Sequence, residues 1–215
     1  MAAAPLDPVR SGTAALALAL ALAAPAQLLA APERGVFITQ IADDSRATVT
    51  QRNSDSVAQI TQDGADNTAE LVQEGTAPHA AGIVQTGLGN DASVRQEGEG
   101  SANLALTQEG DDNSAILRQR ETVDGMTTGA KVQQLGNGNR LSLVQDGTDN
   151  QADLSQVGND NTMTATQLNA GNRLEWAQNG NGLSDLQIMQ TGNSAIQITQ
   201  SATGAQFAPP PGSGG

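Results

Sequence analysis

Residues 56–73 read SVAQITQDGADNTAELVQ and contain the pattern that decides the fold. Gln62 and Gln73 lie eleven residues apart, and each follows an aliphatic residue by two positions, Ile60 and Leu71 respectively. Each aliphatic residue in turn follows an alanine by two positions. Because successive side chains of a strand point to opposite faces, this period of two predicts a β-strand before each glutamine.

The same pattern repeats through most of the chain. Glutamine recurs fifteen times in this phase, with nine of the fourteen spacings at 11 residues, three at 12, one at 10 and one at 15. The residues two and four positions before each glutamine are apolar in all fifteen repeats, and the residue six positions before is Asn, Ser or Thr in twelve. These four positions share one face of an extended strand, so we expect about fifteen short strands with a common buried face.

The polar residues of this face form two predicted columns. Their amides are expected to hydrogen-bond from coil to coil and to build the core along which copies of the chain assemble. The glutamine column holds Gln40, Gln51, Gln62, Gln73, Gln85, Gln96, Gln108, Gln119, Gln134, Gln145, Gln156, Gln167, Gln178, Gln190 and Gln200. The column six positions earlier holds Ser45, Ser56, Asn67, Asn90, Asn113, Asn139, Asn150, Asn161 and Asn172.

Glycine marks the turns between repeats. Gly stands two positions after the glutamine in ten of the fourteen connections, and the Asp or Asn that often follows tolerates positive φ. Because a seven-residue strand cannot bury a face alone, two consecutive repeats are expected to form one coil. The predicted fold is therefore all-β: a two-sheet β-solenoid of cross-β, amyloid-like type, with two strands per coil and Gly/Asn/Asp turns.

The ends of the predicted solenoid favour self-assembly. A terminal strand leaves a row of open backbone groups, and solenoids that stay monomeric cover such ends. We recognise no capping helix in the sequence next to the first or the last strand. The chain is therefore expected to stack on copies of itself.

The N-terminal segment, residues 1–31, is expected to be a secretory signal peptide followed by a short mature N-terminus. Arg10 precedes the uncharged run of residues 14–24, and residues 24–26 resemble a small-residue cleavage site. No second apolar stretch follows, so the prediction contains no membrane span. The protein is expected to be secreted.

Two further segments complete the predicted organisation. Residues 32–200 are expected to form the repeat solenoid, and residues 201–215 a flexible Pro/Gly tail. Within the solenoid, residues 120–127 break the period, which predicts a loop of about four extra residues.

The composition excludes several classes of function. The chain has two Phe, one Trp, no Tyr and no Cys, so neither a large aromatic core nor disulfide bonds are expected to hold it together. Its net charge of −13 is unchanged by removal of residues 1–26, which contain one Asp and one Arg. Such a surface repels nucleic acid and anionic lipid, and no nucleic-acid partner is expected.

Two inward positions depart from the pattern. His79, the only histidine, occupies an Asn position beside Pro78, and we interpret it as a tolerated substitution in an irregular turn. Trp176 takes an otherwise aliphatic position, either as a bulge or as a packing anchor.

No chemical site is predicted. Without cysteine or a second histidine, no metal site or catalytic triad is indicated, and neither a cofactor nor enzyme activity is expected. The Asp-rich turns are interpreted as solvated turns that oppose premature aggregation, in preference to calcium sites.

The repeat resembles that of the curlin family, the subunits of bacterial curli amyloid fibres. Ser56, Gln62, Asn67 and Gln73 match the family pattern Ser-x5-Gln-x4-Asn-x5-Gln, and the resemblance extends over about residues 35–200. It implies passage through the periplasm and an outer-membrane export channel, followed by extracellular assembly into adhesive biofilm fibres. The implied partners are further copies of the chain, a nucleating curlin and the export machinery.

Two alternatives remain open from the sequence. The first is a minor curlin that nucleates or anchors the fibre, because the first repeat has an arginine in the polar position and an unusual tail follows the last. The second, from another class, is a monomeric β-solenoid that acts as an adhesin or an ice-binding module. Its outward threonines are too irregular to favour ice binding.

Overall fold

The computed structural model describes residues 34–41, 43–53 and 55–208, and within these ranges it contains sixteen β-strands. The first fifteen each contain one glutamine of the predicted column. The strands are β1 (Gly35–Ile41), β2 (Arg46–Gln51), β3 (Val57–Asp63), β4 (Thr68–Gly75), β5 (Ala80–Thr86), β6 (Asp91–Gly98), β7 (Ser101–Glu109), β8 (Ser114–Glu121), β9 (Thr127–Leu135), β10 (Arg140–Thr148), β11 (Gln151–Val157), β12 (Thr162–Ala170), β13 (Arg173–Asn179), β14 (Ile188–Thr191), β15 (Ala195–Ser201) and β16 (Gly204–Ala208).

The strands form two sheets in the alternation that the repeat predicts. Sheet A contains the odd-numbered strands in order from β1 to β15, with β16 added after β15, and sheet B contains the even-numbered strands from β2 to β14. All pairings among β1 to β15 are parallel, and equivalent residues of successive coils are paired, as Gln62 is with Gln40 and Gln85. The prediction of a two-sheet β-solenoid is confirmed.

The core lies between the two sheets. The apolar residues two and four positions before each glutamine are almost completely buried from β3 to β13, including Ile60, Leu106 and Leu143 at 0–1% exposure. Interleaved side chains face outwards and are mostly polar. The period of two in the sequence therefore positions the core directly.

Glycine is required where the turns stack closely. Gly64 has a φ of +115°, and a Cβ atom there would lie 2.0 Å from the carbonyl oxygen of Gly87 in the next coil. The conformation and the spacing thus both exclude a side chain. Asp66, two positions later, adopts a φ of 60°, as the predicted role of Asp in these turns requires.

The loop predicted within residues 120–127 is a turn of residues 122–126 between β8 and β9, since residues 120–121 still belong to β8 and residue 127 begins β9. A buried carboxylate organises this turn. Glu121 has no exposed surface. Its carboxylate accepts hydrogen bonds from the backbone N–H of Val123 at 3.1 Å, the hydroxyl of Thr128 at 3.1 Å and the backbone N–H of Asp149 at 2.9 Å. The strands on either side of the turn keep their register, since Gln119 of β8 still pairs with Gln145 and Gln134 of β9 still pairs with Gln108.

The segment after residue 200 differs from the sequence expectation. A flexible tail was predicted for residues 201–215, but β16 lies within it and pairs antiparallel with β15. Gly204, with a φ of 129°, permits the tight reversal, and the edge of β15 supplies unpaired backbone groups. Residues 209–215 lie outside the described ranges, as does the predicted signal segment of residues 1–31.

Within the described part of the chain, no helix has the length and apolar character needed to cross a bilayer.

Candidate functional site: the side-chain ladders and the two ends

The fifteen glutamines form two ladders that run along the solenoid, one in each sheet. In every step, Nε2 of one glutamine donates to Oε1 of the glutamine in the next coil, at 2.6–3.0 Å, which gives thirteen such bonds. The donor always belongs to the coil nearer the N-terminus. Both ladders are therefore directional.

The same glutamines also join the two sheets. Nε2 of Gln85 in sheet A donates to the backbone carbonyl of Thr68 in sheet B at 2.9 Å, and Gln96 in sheet B reaches Ala80 in sheet A at 3.1 Å. All glutamines of the column from Gln62 to Gln200 make the equivalent bond. The repeat pattern alone does not predict this second bond, which explains why an amide with two donor hydrogens recurs at this position.

The Asn and Ser residues form a second pair of columns at the turns. Oδ1 of Asn67 accepts the backbone N–H of Asn90 in the next coil at 3.0 Å, and its Nδ2 donates to the carbonyl of Gly87 at 2.8 Å. Asn90, Asn113, Asn139 and Asn161 repeat the donation to the next turn. Each Asn thus satisfies one donor and one acceptor of the following coil.

Burial separates the middle of the ladders from their ends. The eleven glutamines from Gln62 to Gln178 have no exposed surface, whereas Gln40 is exposed and Gln51 is half-buried. Gln190 and Gln200, at the other end, are 2% and 6% exposed. All predicted column residues occupy the columns.

His79 hydrogen-bonds to both neighbouring coils as part of the Asn/Ser column. It is 1% exposed; its backbone N–H donates to Oγ of Ser56 at 3.0 Å, and its Nδ1 accepts the backbone N–H of Ala102 at 3.1 Å. Nε2 lies 3.0 Å from the carbonyl of Glu74. The ring is therefore neutral, with its proton on Nε2, and burial lowers its pKa against the opposing effect of the Glu74 hydrogen bond.

Trp176 is a packing anchor. It is completely buried in sheet A, in register between Leu154 and Ile198. The paired register shows no bulge in β13, so the first of the two interpretations from the sequence is wrong. Among the described residues, its Nε1 finds no hydrogen-bond partner.

Among the described residues, no strand covers the N-terminal end of the solenoid, and this end is apolar. Val36, Phe37 and Ile38 of β1 are 43–44% exposed, and Ile41 is 60% exposed. Within the described ranges, Oε1 of Gln40 receives no hydrogen bond. This end therefore presents apolar side chains and a free amide acceptor.

The C-terminal end is irregular. The spacing of the repeat predicts Ser184 at the Asn position before Gln190, but Leu183 occupies this position. The backbone N–H of Leu183 donates to Oδ1 of Asn161 at 3.0 Å. The segment between Leu183 and β14 therefore contains one extra residue, and Gln187 adopts a φ of 49° there. As a result, β14 has only four residues. A leucine cannot extend the hydrogen-bonded column, so the column stops here.

A row of ion pairs covers part of the outer face of sheet B. Glu74 contacts Arg52 at 3.1 Å and Arg95 at 3.0 Å, and Glu97 contacts Arg95 at 2.8 Å and Arg118 at 2.7 Å. Burial opposes ionisation of Glu97, but hydrogen bonds and charges from Arg118 and Arg95 outweigh it and lower the pKa of this carboxyl. Among the described residues, no group of three or more His, Asp or Glu side chains is placed to hold a metal ion.

Comparison with known proteins identifies the repeat. The curlin-associated repeat matches residues 54–98, which contain β3 to β6, and residues 136–168, which begin before β10 and end within β12. No curated protein and no solved structure gives a significant match to the chain. The fold and this repeat are those of structural proteins. The chain therefore contains the curlin-associated repeat in these two regions and is similar to the curlin family there.

Proposed function

We propose that the chain is a structural subunit of an extracellular amyloid fibre, to which copies add head to tail. The observation that carries the proposal is the direction of the glutamine ladders. Every bond runs from Nε2 to the Oε1 of the following coil, so the N-terminal end offers acceptors at Gln40 and Gln51 and the C-terminal end offers donors at Gln190 and Gln200.

Only one arrangement of two copies continues these ladders. When the N-terminal end of one copy meets the C-terminal end of another, donors face acceptors. Two N-terminal ends would oppose acceptor to acceptor, and two C-terminal ends donor to donor. Head-to-tail stacking would also cover the exposed apolar residues of β1, which supplies a hydrophobic driving force.

The proposal includes the setting in which such a fibre forms. The chain would be secreted through the periplasm and an outer-membrane channel and would assemble at the cell surface, where the fibre supports adhesion, aggregation and biofilm matrix. Its partners would be copies of itself, a nucleating curlin and the export machinery. The curlin repeat and the signal-like N-terminal sequence support this setting.

A second candidate is a minor curlin that nucleates or anchors the fibre. One observation favours it: β16 covers the end of sheet A, and Leu183 stops one Asn column at the same end. A subunit of this type would bind other curlins through its N-terminal end and extend the fibre poorly from the other.

The test compares inward and outward substitutions on the same strand. Gln40→Lys breaks the ladder at the N-terminal end, whereas Thr39→Lys adds the same charge one residue earlier on the outer face. We expect the purified wild-type chain and Thr39→Lys to form thioflavin-positive fibres with reflections near 4.8 Å and about 10 Å. Gln40→Lys is expected to remain soluble.

Two outcomes would overturn the proposal. One is a wild-type monomer peak that persists in sizing for days without a thioflavin signal, which would support a monomeric adhesin-type solenoid. The other is growth of Gln40→Lys at the wild-type rate. Poor growth of the wild type alone, together with its ability to start fibres of another curlin, would favour the minor-subunit candidate.

A further inference from the structure

Strand β16 occupies the position at which head-to-tail stacking would place β2 of the next copy. It is the only antiparallel strand among the described residues, and it pairs with the outer edge of β15. Sheet A contains eight solenoid strands and sheet B seven, so a stack that continues both ladders places β1 of the next copy on β14 and its β2 on β15. The edge of β15 must therefore be free.

The pairing of β16 with β15 is poor in three respects. It spans five residue pairs, whereas β13 pairs with β15 over seven. Ala205 stands opposite Gln200, so the glutamine ladder does not continue. Phe207, opposite the buried Ile198, is itself 65% exposed and gains little from the contact.

Strand β2 matches the same edge better. In the parallel register of sheet A, Gln178 pairs with Gln200 and Trp176 with Ile198. Continuing that register by one strand places Gln51 on Gln200 and Val49 on Ile198. The Nε2 hydrogen of Gln200 would then meet Oε1 of Gln51, which accepts no hydrogen bond within the described residues.

We propose that β16 is an exchangeable strand, which covers the binding edge for β2 of a second copy and is displaced when that copy adds. This inference rests on the proposed head-to-tail function. Addition at the C-terminal end then requires the hairpin at Gly204 to open, and the rate of elongation depends on how firmly β16 is held.

A reversible covalent lock tests the exchange. Thr199 and Gln206 are directly paired and exposed, and the chain has no cysteine, so Thr199→Cys with Gln206→Cys creates a single possible disulfide. The oxidised protein is expected to lose elongation, and reductant is expected to restore it to the rate of the single variant Thr199→Cys. Added to growing wild-type fibres, the oxidised protein should stop growth at one end, because its own N-terminal end still binds.

A second variant acts in the opposite direction and does not depend on a disulfide. Gln206→Pro removes a backbone donor within β16 and weakens the hairpin, so we expect a shorter lag and several-fold faster elongation. The matched control is Gln197→Pro on β15, which damages the binding edge itself and is expected to slow growth.

The outcomes separate the inference from the function on which it rests. Equal elongation by oxidised and reduced protein, with fibres formed by both, would overturn strand exchange and leave head-to-tail assembly intact. Failure of the wild type and Gln206→Pro to form fibres would overturn both.

Discussion

The two ends of the solenoid are built differently, although the repeat that forms them is the same. At the N-terminal end, β1 and β2 keep the regular pattern and leave Phe37 and Ile38 about 43–44% exposed. At the C-terminal end, β14 is short, Leu183 replaces an amide and β16 covers one sheet. In the proposed fibre, another copy can therefore add directly to the regular N-terminal end, whereas the irregular C-terminal end must first rearrange.

The glutamines in the middle coils make more hydrogen bonds than those at the two ends. There each glutamine is bonded to the coil before, the coil after and the opposite sheet, as Gln108 is to Gln85, Gln134 and Asp91. A glutamine at an end loses one of these partners. The same substitution should therefore cost much in the middle and little at an end.

The largest expected effect tests this difference directly. Gln108→Glu keeps the side-chain shape but removes two donations and buries a charge, so we expect a loss of about 3–5 kcal/mol in the free energy of unfolding. Gln40→Glu, at the exposed end, is expected to cost less than about 1 kcal/mol. Urea unfolding followed by circular dichroism measures both.

An outward control completes this comparison. Gln59→Glu places the same charge on the outer side of β3 and is expected to resemble Gln40→Glu. If Gln108→Glu were no more destabilising than these two, the ladders would not hold the middle coils together.

The next effect sharpens the contrast inside the C-terminal coils. Trp176 is the largest residue in its column. Ala165, one repeat earlier in the opposite sheet and in the same buried cluster, is the smallest in its own. Trp176→Leu is expected to lower the unfolding free energy by about 2–4 kcal/mol through an unfilled cavity. Adding Ala165→Leu should recover part of this loss.

Additive losses in the double variant would contradict the proposed compensation of size. The measurement is a double-mutant cycle from urea unfolding, with circular dichroism as the signal because the only tryptophan is removed.

A pH-dependent effect should distinguish one coil from its neighbours. Because burial favours the neutral ring of His79, the unfolded chain binds the proton more readily than the folded one. The stabilisation is fully present above the ordinary value of 6.5 and is lost as the pH falls below it towards the lower pKa of the folded state. Thermal unfolding at a series of pH values measures this loss.

His79→Asn is the matched control, since it restores the residue found at this position in other coils. We expect it to remove the loss of stability between neutral pH and the pKa of the folded state. An identical pH dependence in the variant and the wild type would show that other groups, such as the acidic turns, are responsible.

The smallest expected effect concerns the ion pairs on sheet B. Glu97→Gln removes the charge that contacts Arg95 and Arg118, and we expect a loss of less than about 1 kcal/mol that shrinks at high salt. Below the ordinary pKa of 4.5, as Glu97 becomes protonated, variant and wild type should converge. A salt-independent difference in melting temperature would contradict this interpretation.

Much of the fold could be predicted because one repeat determines several structural levels together. The spacing of 11 or 12 residues sets strand plus turn, the period of two sets the buried face, and two repeats close a coil. Gln62, Asn67 and Gln73 accordingly lie at the predicted positions in adjacent strands.

What the sequence could not reveal depends on contacts between coils or on departures from the repeat. The bond from Gln85 to Thr68 joins residues whose proximity appears only when the sheets face each other. The position of Leu183 depends on an extra residue that could have been absorbed in several places. β16 has no repeat pattern, and only the free edge of β15 explains it.

The direction of the glutamine bonds has an electrical consequence. Amide groups carry a dipole of about 3.5 D, and in each ladder they are oriented the same way because the strands that bear them are parallel. Their moments add along the axis, unlike those of antiparallel strands, which cancel. A head-to-tail fibre would lengthen this sum with every subunit, so an applied field should orient fibres and point all their growing tips the same way.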